Sequence, residues 1–350
     1  MNLNKQRARN AMVGLAIGDA VSWTSMFHRS TILPMWTRRI RREMDAATET
    51  SNVITVPMPF SLNQPAEHFN LTPTAATEWM AFSAEMLLSV SDGSYDQRLL
   101  SSWKNLAASS GPIRGSISTQ AALHNIRNGI LPPHSGKENP HYFDDSAMSR
   151  AVPIGIVTSG DLRTSASLSH ADASVANSED GIWGAQAIAV IINALCAEDE
   201  FEIAMEKALD VLPGTSWIKR TVDDALRISK GAASIFSILP ELHESVVNRE
   251  YSYGNSAPET LALALAIVRT HGKDFNTSVM TAASFSKSSE SLPAIVGALS
   301  GAMNSGEILN DHWTASIQTL KGLCIPELSG KNFLSLTEQI AQTIGQRRTV

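Results

Sequence analysis

An all-α fold is predicted by three properties of this 350-residue chain. Apolar residues recur three and four positions apart along most of its length, and the strict alternation of half-buried strands is scarce. Pro153, Pro213, Pro240 and Pro258 fall at or near expected helix ends, where a missing N–H costs little.

Taken in order, residues 5–21 read as a helix whose small residues (Ala11, Gly14, Ala16, Gly18, Ala20) allow close packing. Segment 22–72 has mixed polarity and four prolines (Pro34, Pro57, Pro59, Pro65). So long a stretch without an element is usually functional or an insertion. A helix over 76–91 presents Trp79, Met80, Phe82, Met86, Leu87 and Val90. Another follows at 117–129, then a second loop at 130–146. The periodic pattern returns at 182–198, 200–212, 219–237, 256–270, 275–285, 291–304 and 334–346. Asp172, Asn255 or Ser256, and Asn276 or Ser278 have the side chains of N-caps. With no internal repeat, low-complexity tract or linker-like boundary, residues 1–350 read as one domain.

Composition narrows the function. With 43% hydrophobic and 18% charged residues, the chain can bury a large core. A net charge of -6 argues against nucleic-acid and acidic-membrane partners. The one basic run, Arg38-Arg39-Ile40-Arg41-Arg42, is followed by Glu43 and Asp45 and reads as a solvated face. Its alternative use is to hold a phosphate or an acidic partner. Cys196 and Cys324 are too few for a disulfide scaffold or a zinc site. No signal-like segment opens the chain, and Asn193 interrupts the apolar run 188–197. A soluble, cytoplasmic protein without a membrane partner is expected.

Six blocks in order give a resemblance. Gly14-Leu15-Ala16-Ile17-Gly18-Asp19-Ala20 and Thr74-Ala75-Ala76-Thr77 come first. Arg114-Gly115 follows, with Gly129 and Ser135-Gly136. Then come Ala147 to Gly155 (with Arg150 and Pro153), Ser169-His170-Ala171-Asp172, and Ala294 to Ala302. Each is weak alone; together they resemble the ADP-ribosylglycohydrolase family over about residues 10–305. The resemblance implies a compact multi-helix fold with the active site in a cleft between helices.

It also implies two magnesium ions, held by a glutamate after the first helix, by Thr-Asp-Asp, and by Asp-x-Asp-Thr. Hard magnesium needs oxygen ligands, largely anionic. At the matching positions this chain has Met26, then Thr74-Ala75-Ala76, then Ser288-Ser289-Glu290-Ser291. Of these, Glu290 alone is a carboxylate, so neither a metal nor another cofactor is expected. Where the family has Gly-Asn-Gly before Ala-Met-Arg, this chain has Asp144-Asp145-Ser146. Glycines there bring backbone N–H groups close to a phosphate; two aspartates repel a diphosphate unless one pairs with Arg150. The substrate is then expected to lack the diphosphate or to carry positive charge.

These substitutions point to metal-free cleavage of an N-glycosidic bond. A carboxylate stabilises the oxocarbenium-like state or activates water. Glu290, Asp145 and Asp144 are the catalytic candidates. Thr74, Arg150, His170, Ser146, Ser288, Met26, Trp23 and Trp79 are candidate contacts to a nucleoside-like or ADP-ribose-derived small molecule, with the aromatic groups suited to stacking on a base. Plainer readings stand beside these. Asp144-Asp145-Ser146 also fits a turn or a helix cap, Asp19 a buried hydrogen-bond acceptor, Glu78 a favourable helix dipole, and the aromatic and methionine residues core packing. The alternative function is an inactive relative that binds ADP-ribose, a nucleotide or a protein.

Overall fold

The computed structural model of the chain describes residues 3–22, 50, 72–89, 94–248, 254–285, 287–288 and 290–346. Trp23, Met26, the arginine run 38–42 and nearly all of segment 22–72 lie outside them. The fold is all-α. Among the described residues no strand forms, and one isolated bridge joins Thr319 to Asn332.

The helices are α1 (Leu3–Val21), α2 (Ala75–Ser89), α3 (Tyr95–Ala108), α4 (Ile117–Arg127), α5 (His134–Lys137) and α6 (Ser146–Val157). They continue with α7 (Leu162–Ala173), α8 (Asp180–Cys196), α9 (Phe201–Leu209), α10 (Trp217–Ser229) and α11 (Ile235–Ser245). The last are α12 (Ala257–His271), α13 (Phe275–Ser284), α14 (Leu292–Met303), α15 (Asp311–Ile317) and α16 (Phe333–Gln342).

Several expectations are corrected. The helix expected over 219–237 is two, α10 and α11, with Gly231 between them at φ +71°. That backbone conformation favours glycine and stops a right-handed helix. Pro153 and Pro240 lie inside α6 and α11 rather than at their ends. Asp172 is no N-cap: it sits within α7, and Asp161 caps that helix by accepting from Thr164 N–H at 3.0 Å. Asp274, not Asn276 or Ser278, caps α13, accepting from Thr277 N–H at 3.1 Å. The 130–146 loop contains the short helix α5. Asn125 and Asn139 pin it, the latter donating to Ser118 O at 2.8 Å and Ala176 O at 2.9 Å.

The small-residue face of α1 meets α14 backbone to backbone. A Cβ on Gly14 would lie 2.1 Å from Gly297 O, one on Gly18 2.0 Å from Pro293 O, and one on Gly301 2.1 Å from Asn10 O. The pairing 10–301, 14–297, 18–293 runs in opposite senses, so the two helices are antiparallel. Only hydrogen fits between the chains at these crossings. Beside this pair, α8 is apolar nearly all round and buried, as a central helix must be. α6 packs on it where a Cβ on Gly155 would meet Ala189 O at 2.5 Å.

Candidate functional site

The C-terminal turn of α1 meets the first turn of α2 through a carboxylate. Asp19 is buried and accepts four hydrogen bonds: Thr74 N–H at 2.7 Å, Thr74 Oγ1 at 3.1 Å, Thr77 N–H at 2.9 Å and Thr77 Oγ1 at 2.7 Å. Asp19 thus caps a helix 55 residues away in sequence, satisfying two of its orphan amides. Burial raises the Asp19 pKa, and the four donors partly oppose that rise. Both threonines of the tetrad Thr74-Ala75-Ala76-Thr77 serve this cap.

The two alanines between them face a cleft of about 390 Å³. Its floor and apolar walls are Ala75, Ala76, Trp79, Ile113 and Ile295. Ser116 and Thr119 from the start of α4, and Ser146 and Ser149 from α6, supply hydroxyls along one side. Asn255, Glu290, Ser291 and Asp145 supply the polar groups of another, and Arg114 stands exposed among the lining residues.

Cys324 also lines the cleft, because Glu78 holds its segment there. The buried Glu78 carboxylate accepts backbone N–H groups from Leu323 at 2.9 Å, Cys324 at 2.7 Å and Ile325 at 2.9 Å. Burial raises its pKa against these bonds. Glu78 therefore anchors a backbone segment rather than simply favouring the helix dipole.

Asp145 precedes α6 as its N-cap residue, yet its side chain caps nothing. Instead Oδ2 accepts the hydroxyls of Thr260, at 2.6 Å, and Ser291. Ser291 in turn accepts from Asn255 Nδ2 at 2.7 Å. Burial pushes the Asp145 pKa from 3.8 up to about 6; the two hydroxyls lower it, and nearby Asp144 and Glu259 raise it further. A carboxyl group so placed exchanges a proton near neutral pH.

Of the residues expected at the site, Asp145, Glu290, Thr74, Ser146 and Trp79 line the cleft. The others described are placed elsewhere. Asp144 is buried beside the cleft, with Oδ1 accepting from Asn177 Nδ2 at 2.8 Å and Ser146 N–H at 3.1 Å. Ser288 is buried and donates to Glu259 at 2.9 Å; Lys287 bonds the other oxygen of Glu259 at 2.7 Å. Arg150 is fully buried, bonded to Asp172 at 2.7 Å through Nε, with its guanidinium 5.2 Å from the Trp103 ring centre and 5.9 Å from that of Trp79. It braces α6 against α7 and pairs with neither Asp144 nor Asp145. His170 is exposed in the last turn of α7 and is not among the lining residues. The partner of Arg150 lies 22 residues away on another helix, a pairing that no local pattern encodes.

Sequence reasoning missed Asn255, Thr260 and the hydroxyls of α4. Thr260 meets Asp145 across 115 residues, a separation no local pattern encodes. Ser116 did carry a signal, as an N-cap; its hydroxyl accepts from Thr119 N–H at 3.2 Å.

Residues 1–349 match the ADP-ribosylglycohydrolase family, and the chain belongs to it. A solved structure described as an ADP-ribosylglycohydrolase-related protein complex is similar over 100% of both chains, with 16% identity and a TM-score of 0.59. That likeness carries the fold alone. No curated protein matches. None of the described helices is long and apolar enough to cross a membrane.

The magnesium pair that the resemblance implies is tested by the donors present. Ala75 and Ala76 offer methyl groups, Thr74 is bonded to Asp19, and Ser288 to Glu259. Among the described residues, no group of three or more histidine, cysteine, aspartate or glutamate side chains is arranged to hold a metal ion. Neutral hydroxyls committed elsewhere do not offset the dehydration of magnesium, so these residues do not fit that pair.

Proposed function

We propose that this family member binds an N-glycosidic, nucleoside-like small molecule in the cleft and hydrolyses it without the di-magnesium centre. The observation that carries the reading is Asp145. It is a cleft-lining carboxyl group with a pKa near 6, positioned by Ser291 and Thr260 from two other elements. At neutral pH it is mostly ionised and acts as a general base.

Asp145 takes a proton from water as the water oxygen bonds to the anomeric carbon and the C–N bond breaks. The nitrogen leaves with the bonding electron pair and receives that proton, so the sum is hydrolysis. Glu290, also on the cleft wall, stabilises the positive charge that develops on the sugar. Thr260 and Ser291 engage Oδ2, which leaves Oδ1 as the oxygen that meets water.

The test is turnover of a panel of N-ribosides with and without EDTA. Activity that survives chelation and falls at least about 100-fold in Asp145→Asn fits general-base catalysis; activity abolished by EDTA overturns the metal-free mechanism. One observation favours the second reading, a binding protein without catalysis: Asp19 spends four hydrogen bonds on the cap, which removes one cleft carboxylate from chemistry. Binding without turnover across the panel would select it.

A further inference from the structure

The hydroxyl groups of Ser116, Thr119 and Ser146 line one wall of the cleft and are joined behind it through the buried Ser118. Ser116 Oγ lies 2.9 Å from Ser118 Oγ and 3.1 Å from Thr119 Oγ1; Ser118 lies 3.0 Å from Ser146 Oγ, which reaches Asn177 at 3.2 Å. Asn177 then donates to Asp144 at 2.8 Å. The run thus starts at the cleft surface and ends on a buried carboxylate. Asn177 gives its amide hydrogens to Asp144, so Ser146 donates its one proton to Asn177 Oδ1. The run is thereby polarised: Ser118 donates to Ser146, and Ser116 to Ser118. A ligand hydroxyl joins the outer end of such a run by donating to the lone pairs of Ser116 or Thr119. A phosphate does not: it needs donors throughout, preferably cationic ones or aligned backbone amides.

The charges around the cleft have the same bias. Asp145 and Glu290 face it, Asp144 lies buried behind Ser146, and among the described lining residues Arg114 is the one cation. Each additional phosphate charge brought to this wall therefore meets carboxylates in a partly dehydrated space, where they are poorly screened.

We infer that the cleft selects an N-riboside with a free 5′-hydroxyl and discriminates against 5′-phosphorylated and diphosphate ligands, its hydroxyl wall taking the sugar. This rests on reading the cleft as an N-glycoside site, and it narrows that reading to a class outside ADP-ribose itself.

Binding to the full-length chain by calorimetry at pH 7.5 and fixed ionic strength tests it. Adenosine, uridine and nicotinamide riboside are each compared with the 5′-monophosphate, and ADP-ribose is included. At least one riboside is expected to bind ten-fold or more tightly than its monophosphate, with ADP-ribose weaker still. The Asp145→Asn variant should shrink that ratio several-fold, because it removes charge and keeps the shape. A melting curve beside each titration shows that the variant is folded. Equal or tighter binding of the phosphorylated partners, or no binding by any member, overturns the inference. A retained preference without turnover overturns hydrolysis and leaves the selectivity standing; turnover of ADP-ribose with equal affinity does the reverse.

Discussion

Asp19 and Thr77 are joined twice, through the Thr77 amide at 2.9 Å and its hydroxyl at 2.7 Å, and both bonds fall on Oδ2 of the aspartate. The contact fastens the end of α1 to the start of α2 at the edge of the cleft. Replacing Asp19 by Ala strands the amides and hydroxyls of Thr74 and Thr77 in a buried place. A loss of about 3 kcal/mol is expected from the lost cap and the unpaired donors. Thr77→Ala, which removes one hydroxyl, should cost about 1 kcal/mol. Urea unfolding measures both; an Asp19→Ala midpoint equal to the parent would refute the cap.

Asp145 links stability to pH. Its folded pKa of about 6 exceeds the ordinary 3.8, so the folded state holds its proton more tightly than the unfolded chain. Its contribution is therefore fully present below about pH 3.8 and is lost as pH rises through about 6, an order-of-magnitude change of about 3 kcal/mol. The Asp145→Asn variant should lack this term, so the stability difference between variant and parent should grow in the variant's favour across that window. Activity should run the other way, rising with pH through about 6 as the base ionises. Unfolding curves and a kcat/KM profile from acid to neutral pH check the two signs separately.

Glu78 makes a prediction about one short segment. With its carboxylate gone in Glu78→Ala, the amides of Leu323, Cys324 and Ile325 lose their acceptor. Their hydrogen exchange should accelerate more than that of α8, whose amides are bonded within the helix. The global loss should be about 3 kcal/mol. Uniform acceleration along the whole chain would mean that Glu78 does not act locally.

Gly297 tests the helix crossing. Its Cβ in Gly297→Ala would come 2.1 Å from Gly14 O, which forces α1 and α14 apart. We expect a loss of at least about 2 kcal/mol, despite the better helix propensity of alanine. Gly129→Ala, where a Cβ meets nothing within 4 Å but φ is +82°, should cost about 1 kcal/mol through backbone strain alone. Thermal melting ranks the pair; the reverse order would refute the close packing.

Much of the fold is written locally, because apolar spacing along a helix reports the face it buries. α1, α2, α4, α8, α12 and α14 are legible in this way, and the small residues of α1 foretell its close approach to α14. α7 is not: Leu162–Ala173 is rich in serine and alanine and shows no apolar stripe. α3 does carry one, in Leu99, Trp103 and Leu106, but two short polar stretches flank it. The cleft is less legible than the fold. Asp145 stands out by its substitution for a family glycine-rich loop. The hydroxyls that position it come from Thr260 and Ser291, and their meeting depends on how α12 and α14 pack. Arg150 shows the converse, since a cation near acids in sequence is bonded to an acid from another helix in space.

The Ser288–Glu259–Lys287 cluster ties the choice of residue at position 288 to a buried carboxylate on another element. An aspartate at position 288, the residue the family resemblance implies there, would set its carboxylate against the buried Glu259, with the one ammonium of Lys287 between two negative charges. A carboxylate introduced at that position alone is therefore penalised by like-charge repulsion in a buried place. Removing Glu259 first carries its own cost, because Lys287 then loses its carboxylate partner and keeps the bond to Asn248 O. Positions 259, 287 and 288 therefore behave as one electrostatic unit, in which a change of charge at any of them is felt by the other two.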